Sequence, residues 1–130
     1  MTDSILMSLG SAVVLMLVGC LLLWAGKSAA QGNIGRNRAI GIRTRWTLAS
    51  DEAWEAGHQA GRRGLKIGSL GLVSGAILAM PCAFLPRLGV SEGATNSIVS
   101  SLTFASCIWL LCWVLAAAKA ANRAAKALLS

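Results

Sequence analysis

The side chains of this 130-residue chain that are best suited to chemistry lie together in one segment, residues 33–63. This segment contains the only histidine, His58, and two of the five tryptophans, Trp46 and Trp54. Arg43 carries a planar fork of five donors that suits a carboxylate, a phosphate or backbone carbonyls. A mere connector would be polar and featureless, so this segment is expected either to bind something or to fold against the rest of the chain.

Two interpretations of the segment stay open. In a structural one, Arg43 pairs with Glu52 or Glu55 and ties the segment against a helix beneath the two tryptophans. In a functional one, Arg43 binds an anion or a partner at the inner membrane surface, such as a lipid headgroup. His58 fits a hydrogen-bonded structural role better than a pH switch or a ligand. Neutral hydrogen bonds are expected from Asn37, Thr44 and Thr47.

The elements that position this segment follow from the charge pattern. Three stretches of the chain contain no Lys, Arg, Asp or Glu. Each reaches the roughly 18–20 apolar residues with which a helix crosses a bilayer. A composition of 55% hydrophobic and 13% charged residues excludes a soluble globular domain. We predict an all-α membrane protein, one domain over residues 1–130, with three transmembrane helices. The charge-free stretches are 4–26, 67–86 and 93–118, and the predicted spans are about 5–26, 65–86 and 95–118.

The loop between the first two spans, residues 27–64, is expected to contain an interfacial helix. Ser50 is a good N-cap because its hydroxyl can accept from the free amides of the first turn. Acidic residues, which a helix N-terminus favours, follow at Asp51, Glu52 and Glu55. A helix therefore begins near residue 51, lies at the membrane interface, and then turns or runs into the second span.

A stripe of glycines marks the second helix as a packing surface. The glycines recur at alternating spacings of four and three, which places them along one face. In a membrane such a face lets another helix approach at backbone distance. The partner helix could belong to the same chain or to a second copy. The stripe consists of Gly57, Gly61, Gly64, Gly68, Gly71 and Gly75. The third helix has a face of small residues that could pack on this stripe or on the small residues of the first helix. That face consists of Ser97, Ser101 and Ala105, and the small residues of the first helix are Gly10, Ser11 and Gly19.

Two further features shape the second and third helices. Pro81 predicts a kink, because it cannot donate to the carbonyl of Ile77, and Pro86 with Gly89 predicts a short outer turn. The third helix should continue past the membrane, because residues 116–127 are rich in alanine.

The positive charges predict the orientation in the bilayer. Eight of the twelve Lys and Arg residues lie in 27–66 and three in the C-terminal tail, against Arg87 alone in the outer turn. Cytoplasmic loops carry such an excess, so we expect the N-terminus outside and the long loop and C-terminus in the cytoplasm. Because topology explains the basic balance, no nucleic-acid partner is expected.

The first hydrophobic run is interpreted as a retained helix. The start of the chain lacks the positive residues of a secretory signal. The alternative is cleavage after Ser28-Ala29-Ala30, or lipidation at Cys20, which follows a lipoprotein-like Leu17-Val18-Gly19. The residues after Cys20 are apolar rather than a polar tether, which favours retention.

Catalysis is not expected from this composition. The chain shows no carboxylate pair, no Ser/His/Asp set and no phosphate-cradling loop, and its single histidine has no cysteine neighbour that would suggest a metal. No cofactor is predicted. A proton- or ion-coupled transporter would keep ionisable residues inside its spans, and the charge-free stretches contain none.

The motif in the loop resembles the signature of the SdpI/YfhL family of membrane proteins. The resemblance rests on Asn37, Gly41, Ile42, Arg43, Thr44, Trp46, Thr47, Leu48, Ser50, Glu52, Trp54 and His58. Arg45 stands where the family often has proline, and Gly57 is unusual beside the histidine. The flanking helices also resemble the family's arrangement.

The resemblance implies a bacterial inner-membrane protein. The name-giving member, which has extra helices before the motif, confers immunity to a secreted peptide toxin and sequesters a cytoplasmic repressor. By that likeness we expect toxin immunity or signalling, through binding of a membrane-active peptide or a regulatory protein at the motif. The alternative from a different class is a small accessory subunit of a larger membrane complex, or a homo-oligomer, held through the glycine stripe.

Overall fold

The computed structural model describes residues 2–130 as three long helices and one short 3-10 segment. The elements are α1 (Thr2–Ala30), α2 (Asp51–Ala79), the 3-10 segment (Met80–Leu88) and α3 (Glu92–Leu129). The stretches Thr2–Ala30, Asp51–Leu88 and Glu92–Leu129 are each long and apolar enough to cross a membrane. The all-helical, three-span class is therefore confirmed, with no strand among the described residues.

The chain folds as an antiparallel bundle with α2 in the middle. Both α1 and α3 pack mainly on α2 and contact each other much less. One end of the bundle carries the connecting loop, residues 31–50, and is called the loop end. The opposite end carries Met80–Leu88 and is called the turn end.

The helix predicted to begin near residue 51 does so, with Ser50 as its N-cap. The Ser50 hydroxyl accepts from the Ala53 amide at 3.1 Å. From Asp51 the helix continues without a break to Ala79. The expected interfacial helix is thus not a separate element: of the two paths left open, the chain takes the one that runs directly into the second span.

The region of Pro81 differs from a simple kink. The α-helix ends at Ala79, and the chain tightens into the 3-10 segment with Pro81 in its first turn, where a missing amide hydrogen costs little. Gly89 ends the segment at φ +90°, a conformation that favours glycine, and its amide donates to the carbonyls of Leu85 and Pro86. The predicted turn at Pro86 and Gly89 is confirmed.

The glycine stripe of α2 packs against α3 of the same chain. A Cβ atom at Gly64 would lie 2.9 Å from the Cβ of Ala117 and 3.1 Å from the carbonyl oxygen of Trp113. At Gly71 the ring of Trp109 occupies the space that a Cβ would need. The missing side chains therefore allow two backbones to come close, and the question of which helix covers the stripe is answered within the chain.

The small residues proposed on α3 as mates for the stripe are not the ones that meet it. Ser97, Ser101 and Ala105 are exposed. Ala117 and Ala121, near the opposite end of α3, are the buried contacts instead. Small residues at four-residue spacing describe any flat helix face, so the pattern could not distinguish the buried face from an exposed one. Gly19 of α1 does contact α2, but on its other side, beside Leu72 and Val73.

Candidate functional site

His58 fastens the connecting loop to α2 with both of its ring nitrogens. Its Nε2 accepts a hydrogen bond from the Ile42 amide at 2.8 Å, and its Nδ1 lies 2.8 Å from the carbonyl oxygen of Trp54. An amide can only donate, so Nε2 carries no proton and Nδ1 does. The side chain is almost fully buried. Both nitrogens are therefore committed in a neutral imidazole, the arrangement of a structural histidine.

The surroundings of His58 keep it neutral. It precedes Arg62 and Arg63 on α2 and so lies outside the charge-free part of that helix. Burial lowers the pKa of His58 below its usual value, and the hydrogen bond to the Trp54 carbonyl offsets part of this effect. Protonation would also place a hydrogen on Nε2 and break the bond from Ile42.

Trp54 provides the second attachment of the loop. Its indole nitrogen donates to the carbonyl oxygen of Ile34 at 2.9 Å. Its ring packs on the ring of His58 with centroids 4.1 Å apart. Because Trp54 is fully buried, the indole needs this hydrogen bond, and the bond fixes the start of the loop over α2.

Gly41 lets the loop cross directly above these two rings. Its φ angle is +114°, and a Cβ atom there would lie 2.5 Å from Nε2 of His58 and 2.9 Å from the ring of Trp54. Both the backbone conformation and the space therefore require glycine.

Thr44 and Thr47 form a polar knot between the loop and α3. The Thr47 hydroxyl donates to the Ile42 carbonyl at 2.7 Å and accepts from the Thr44 amide at 3.0 Å. The Thr44 hydroxyl donates to Oδ1 of Asn122 at 2.5 Å, across 78 residues of sequence. Beneath the knot, a Cβ at Gly57 would lie 2.7 Å from the Thr47 methyl group. This close approach explains the glycine beside the histidine.

Trp46 lies between two cations. The Arg45 guanidinium is 4.3 Å from the ring centroid and the Lys126 ammonium is 4.7 Å from it. Lys126 comes from the C-terminal part of α3, so this contact reinforces the link made by Asn122. Arg45 therefore has a packing role of its own.

The start of the loop is held by Arg36, a residue that the sequence did not single out. Arg36 forms an ion pair with Asp51 at 3.1 Å and donates to the carbonyl of Leu48 at 2.9 Å. Asn37 is used locally: its Oδ1 accepts from the amides of Ala39 and Ile40. Arg36, Asn122 and Lys126 are the contributors that sequence reasoning missed, because no local spacing brings them to the motif.

The predicted pairing of Arg43 with Glu52 or Glu55 is wrong. Arg43 is exposed and makes no hydrogen bond or ion pair with any residue in 2–130. Glu52 is exposed on the first turn of α2, where the neighbouring Asp51 takes Arg36 instead. The loop is tied to the helix as the structural interpretation expected, but through Arg36, Trp54 and His58.

A comparison with known protein families identifies the family of this chain. The model of the SdpI/YfhL protein family matches residues 33–120, well over half of the chain. The chain belongs to the SdpI/YfhL family. No curated protein and no solved structure shows a significant match.

The SdpI/YfhL match covers the loop, α2 and most of α3. A cavity lies between these elements and α1. Its volume is about 470 Å³. Its walls are mostly apolar, while Arg43, Thr44 and His58 contribute the polar groups. With His58 and Thr44 already bonded, Arg43 is the group left to bind a ligand. The apolar walls come from Leu21, Trp24, Ile40, Leu65, Val114 and Ala118.

Proposed function

We propose that this SdpI/YfhL protein acts in toxin immunity or signalling by binding a membrane-active peptide or a regulatory protein at the cavity beside Arg43. The observation that carries the proposal is the guanidinium of Arg43, which has no partner within residues 2–130 and lies on the rim of an apolar cavity. A carboxylate, at a peptide C-terminus or on an acidic side chain, would take the charge-assisted hydrogen bonds that Arg43 offers. Apolar side chains would pack beside Leu21 and Val114. The proposal is for binding rather than catalysis.

The same proposal places the protein in a bacterial inner membrane, with its N-terminus outside. Two contacts support the topology: Thr44 with Asn122, and Trp46 with Lys126. They bring the loop and the C-terminal part of α3 to the same end of the bundle. Residues 27–66 and the C-terminal part of α3 together hold eleven of the twelve cations. The positive-inside rule then assigns that end, with the cavity, to the cytoplasm.

The test is a challenge of living cells. A bacterium sensitive to a secreted membrane-active peptide is given the wild-type chain, Arg43→Ala or Arg38→Ala, and membrane levels of each are measured by immunoblot. Arg38 is a matched control because it is exposed on the same loop, does not line the cavity and makes no bond within residues 2–130. We expect protection from wild type and Arg38→Ala, and its loss in Arg43→Ala.

A second variant separates the cavity from the charge. Ala39 lines the cavity and is exposed, so Ala39→Trp fills the space without disturbing the buried contacts. Protection should be lost here too, although Arg43 is intact. Full protection by both Arg43→Ala and Ala39→Trp would contradict the proposed site.

The accessory-subunit alternative now depends on a different surface. The glycine stripe is covered by α3 and cannot hold another protein. The exposed face of α3 with Ser97, Ser101 and Ala105 is the surface that favours a partner helix, in a second copy or in another subunit. A well-expressed wild-type chain that gives no protection, but co-purifies stably with a large complex, would favour this alternative. Ser101→Leu should then release it from the complex.

A further inference from the structure

A second cavity lies beside the first, between α1 and α2 at the loop end, and its charged lining is entirely basic. Its volume is about 290 Å³. Lys27 of α1 faces it together with Arg62 and Lys66 of α2. The remaining lining is Leu22, Leu23 and Gly26 of α1. Three positive charges from two helices thus share one site that no carboxylate lines.

The described chain provides no counter-charge for this site. None of the three cations forms a hydrogen bond or an ion pair within residues 2–130. Arg62 and Lys66 are four residues apart on one helix, a spacing at which like charges destabilise the helix. Glu55, the acidic residue of α2 closest in sequence to Arg62, has its Oε1 beside Gly32 and does not line the cavity. An external anion would relieve this repulsion.

The position of the site at the ends of two apolar segments indicates which kind of anion would fit it. Lys27 directly follows the charge-free stretch 4–26, and Lys66 directly precedes 67–86. The cavity therefore lies where the two helices leave their apolar segments, and its apolar lining includes Leu22 and Leu23. A ligand that fits has a negative head and an apolar tail. A free phosphate ion would leave the leucines uncovered.

We propose that the cavity of Lys27, Arg62 and Lys66 binds the headgroup of an anionic phospholipid, whose acyl chain lies along Leu22 and Leu23. The phosphate accepts from the three cations, and basic cavities between transmembrane helices are suited to such headgroups. This site is distinct from the Arg43 cavity, although both include Leu22 and Gly26. A bound lipid would stabilise the contact of α1 with α2, where Gly26 lies against Leu65.

The decisive experiment compares two neighbouring arginines. Both arginines are exposed, but only Arg62 lines the cavity. Arg62→Gln and Arg63→Gln therefore remove the same charge from adjacent positions. Native mass spectrometry of the detergent-solubilised full chain measures binding of phosphatidylglycerol against phosphatidylcholine. Wild type should retain one phosphatidylglycerol in preference to phosphatidylcholine. Arg62→Gln should weaken this binding about fivefold, and Arg63→Gln should leave it within about twofold.

A pair of triple variants should give a larger difference in lipid binding. Replacing Lys27, Arg62 and Lys66 together by glutamine should weaken phosphatidylglycerol binding about a hundredfold. The matched control replaces Arg38, Arg63 and Lys119, which are exposed and lie outside the cavity. Circular dichroism checks that each is folded, and the single pair decides the question if the triple variant is not.

Three results would overturn the proposal. Equal weakening by Arg62→Gln and Arg63→Gln would mean diffuse attraction of lipid to a basic surface. Equal binding of phosphatidylcholine would remove the need for a negative head. Displacement of the lipid by millimolar inorganic phosphate would identify the free ion as the ligand. Phosphate without effect, together with the expected difference between the two arginines, supports a lipid.

Discussion

The buried polar groups at the two ends of the bundle differ in their hydrogen bonding. At the loop end, His58, Thr47 and Trp54 are buried and each is hydrogen-bonded. At the turn end, the hydroxyls of Ser4 and Ser8 are buried and have no hydrogen-bond partner within residues 2–130.

This difference shows how strongly each end fixes the conformation of the chain. Buried hydrogen bonds with fixed geometry allow one path for the chain and penalise the others. The loop end therefore holds an irregular segment in one conformation and presents Arg43 from it. The turn end joins two helices through a 3-10 segment, and its buried Thr95 donates only to the Ser91 carbonyl four residues earlier. We expect substitutions at the loop end to cost much more than equivalent ones at the turn end.

The largest effect is expected at Gly41. Gly41→Ala would force a positive φ on alanine and push its Cβ into His58 and Trp54. The cost should be about 3 kcal/mol of stability, measured by unfolding in mixed micelles. Gly35→Ala is the control, because Gly35 is in the same loop, has open space at its Cβ position and has no positive φ. Similar losses in both variants would show that the loop end is not tightly specified.

Removal of the His58 acceptor should be the next largest change. His58→Phe keeps a ring beside Trp54 but leaves the Ile42 amide without its partner. A buried donor left unpaired costs about 1–3 kcal/mol. Hydrogen exchange at the Ile42 amide measures this directly and should become faster. An unchanged exchange rate would show that the bond to His58 does not hold the loop.

The sequence predicted the elements of this end better than their contacts. Ser50 identified the start of α2 correctly, because capping depends on neighbours three residues away. The pairing of Arg43 with Glu52 or Glu55, which the structural interpretation assumed, does not form. The path of the loop depends on bonds such as Thr44 to Asn122, which are remote in sequence. The glycine stripe likewise predicted a packing face, whereas the matching face on α3 emerged only from the tertiary arrangement.

Acid should loosen the loop end selectively. Burial lowers the pKa of His58 in the folded protein, so the unfolded loop takes up a proton first as the pH falls. The stability that depends on neutral His58 is therefore complete well above its ordinary pKa of about 6.5 and declines as the pH drops below it. The protection factor of the Ile42 amide, which compares its exchange rate with the intrinsic rate at each pH, should show this decline from pH 8 to pH 5. A variant with His58→Phe should lack it, and a wild-type profile as flat as that variant's would contradict the assignment.

The link from the loop to α3 should contribute a smaller coupling. In a double-mutant cycle of Thr44→Val and Asn122→Ala, the interaction energy should be about 0.6 kcal/mol, as for other hydrogen bonds between membrane helices. The cycle isolates the bond from the packing that each variant also changes. An energy of zero would mean that the C-terminal part of α3 is held through Trp46 and Lys126 alone.

The smallest effect is expected at Ser8, and its comparison with Thr47 tests the difference between the two ends directly, because one hydroxyl is removed from each. Thr47→Val at the loop end deletes a donor to Ile42 and an acceptor for Thr44, with little change in shape. Ser8→Ala at the turn end deletes a buried hydroxyl that has no partner within residues 2–130. The first should cost about 1–3 kcal/mol, whereas the second should be neutral or stabilise by up to about 1 kcal/mol, because an unpaired hydroxyl is costly to bury. Thermal unfolding in micelles compares them under one condition. A loss of stability in Ser8→Ala equal to that in Thr47→Val would show that the turn end, too, depends on polar contacts.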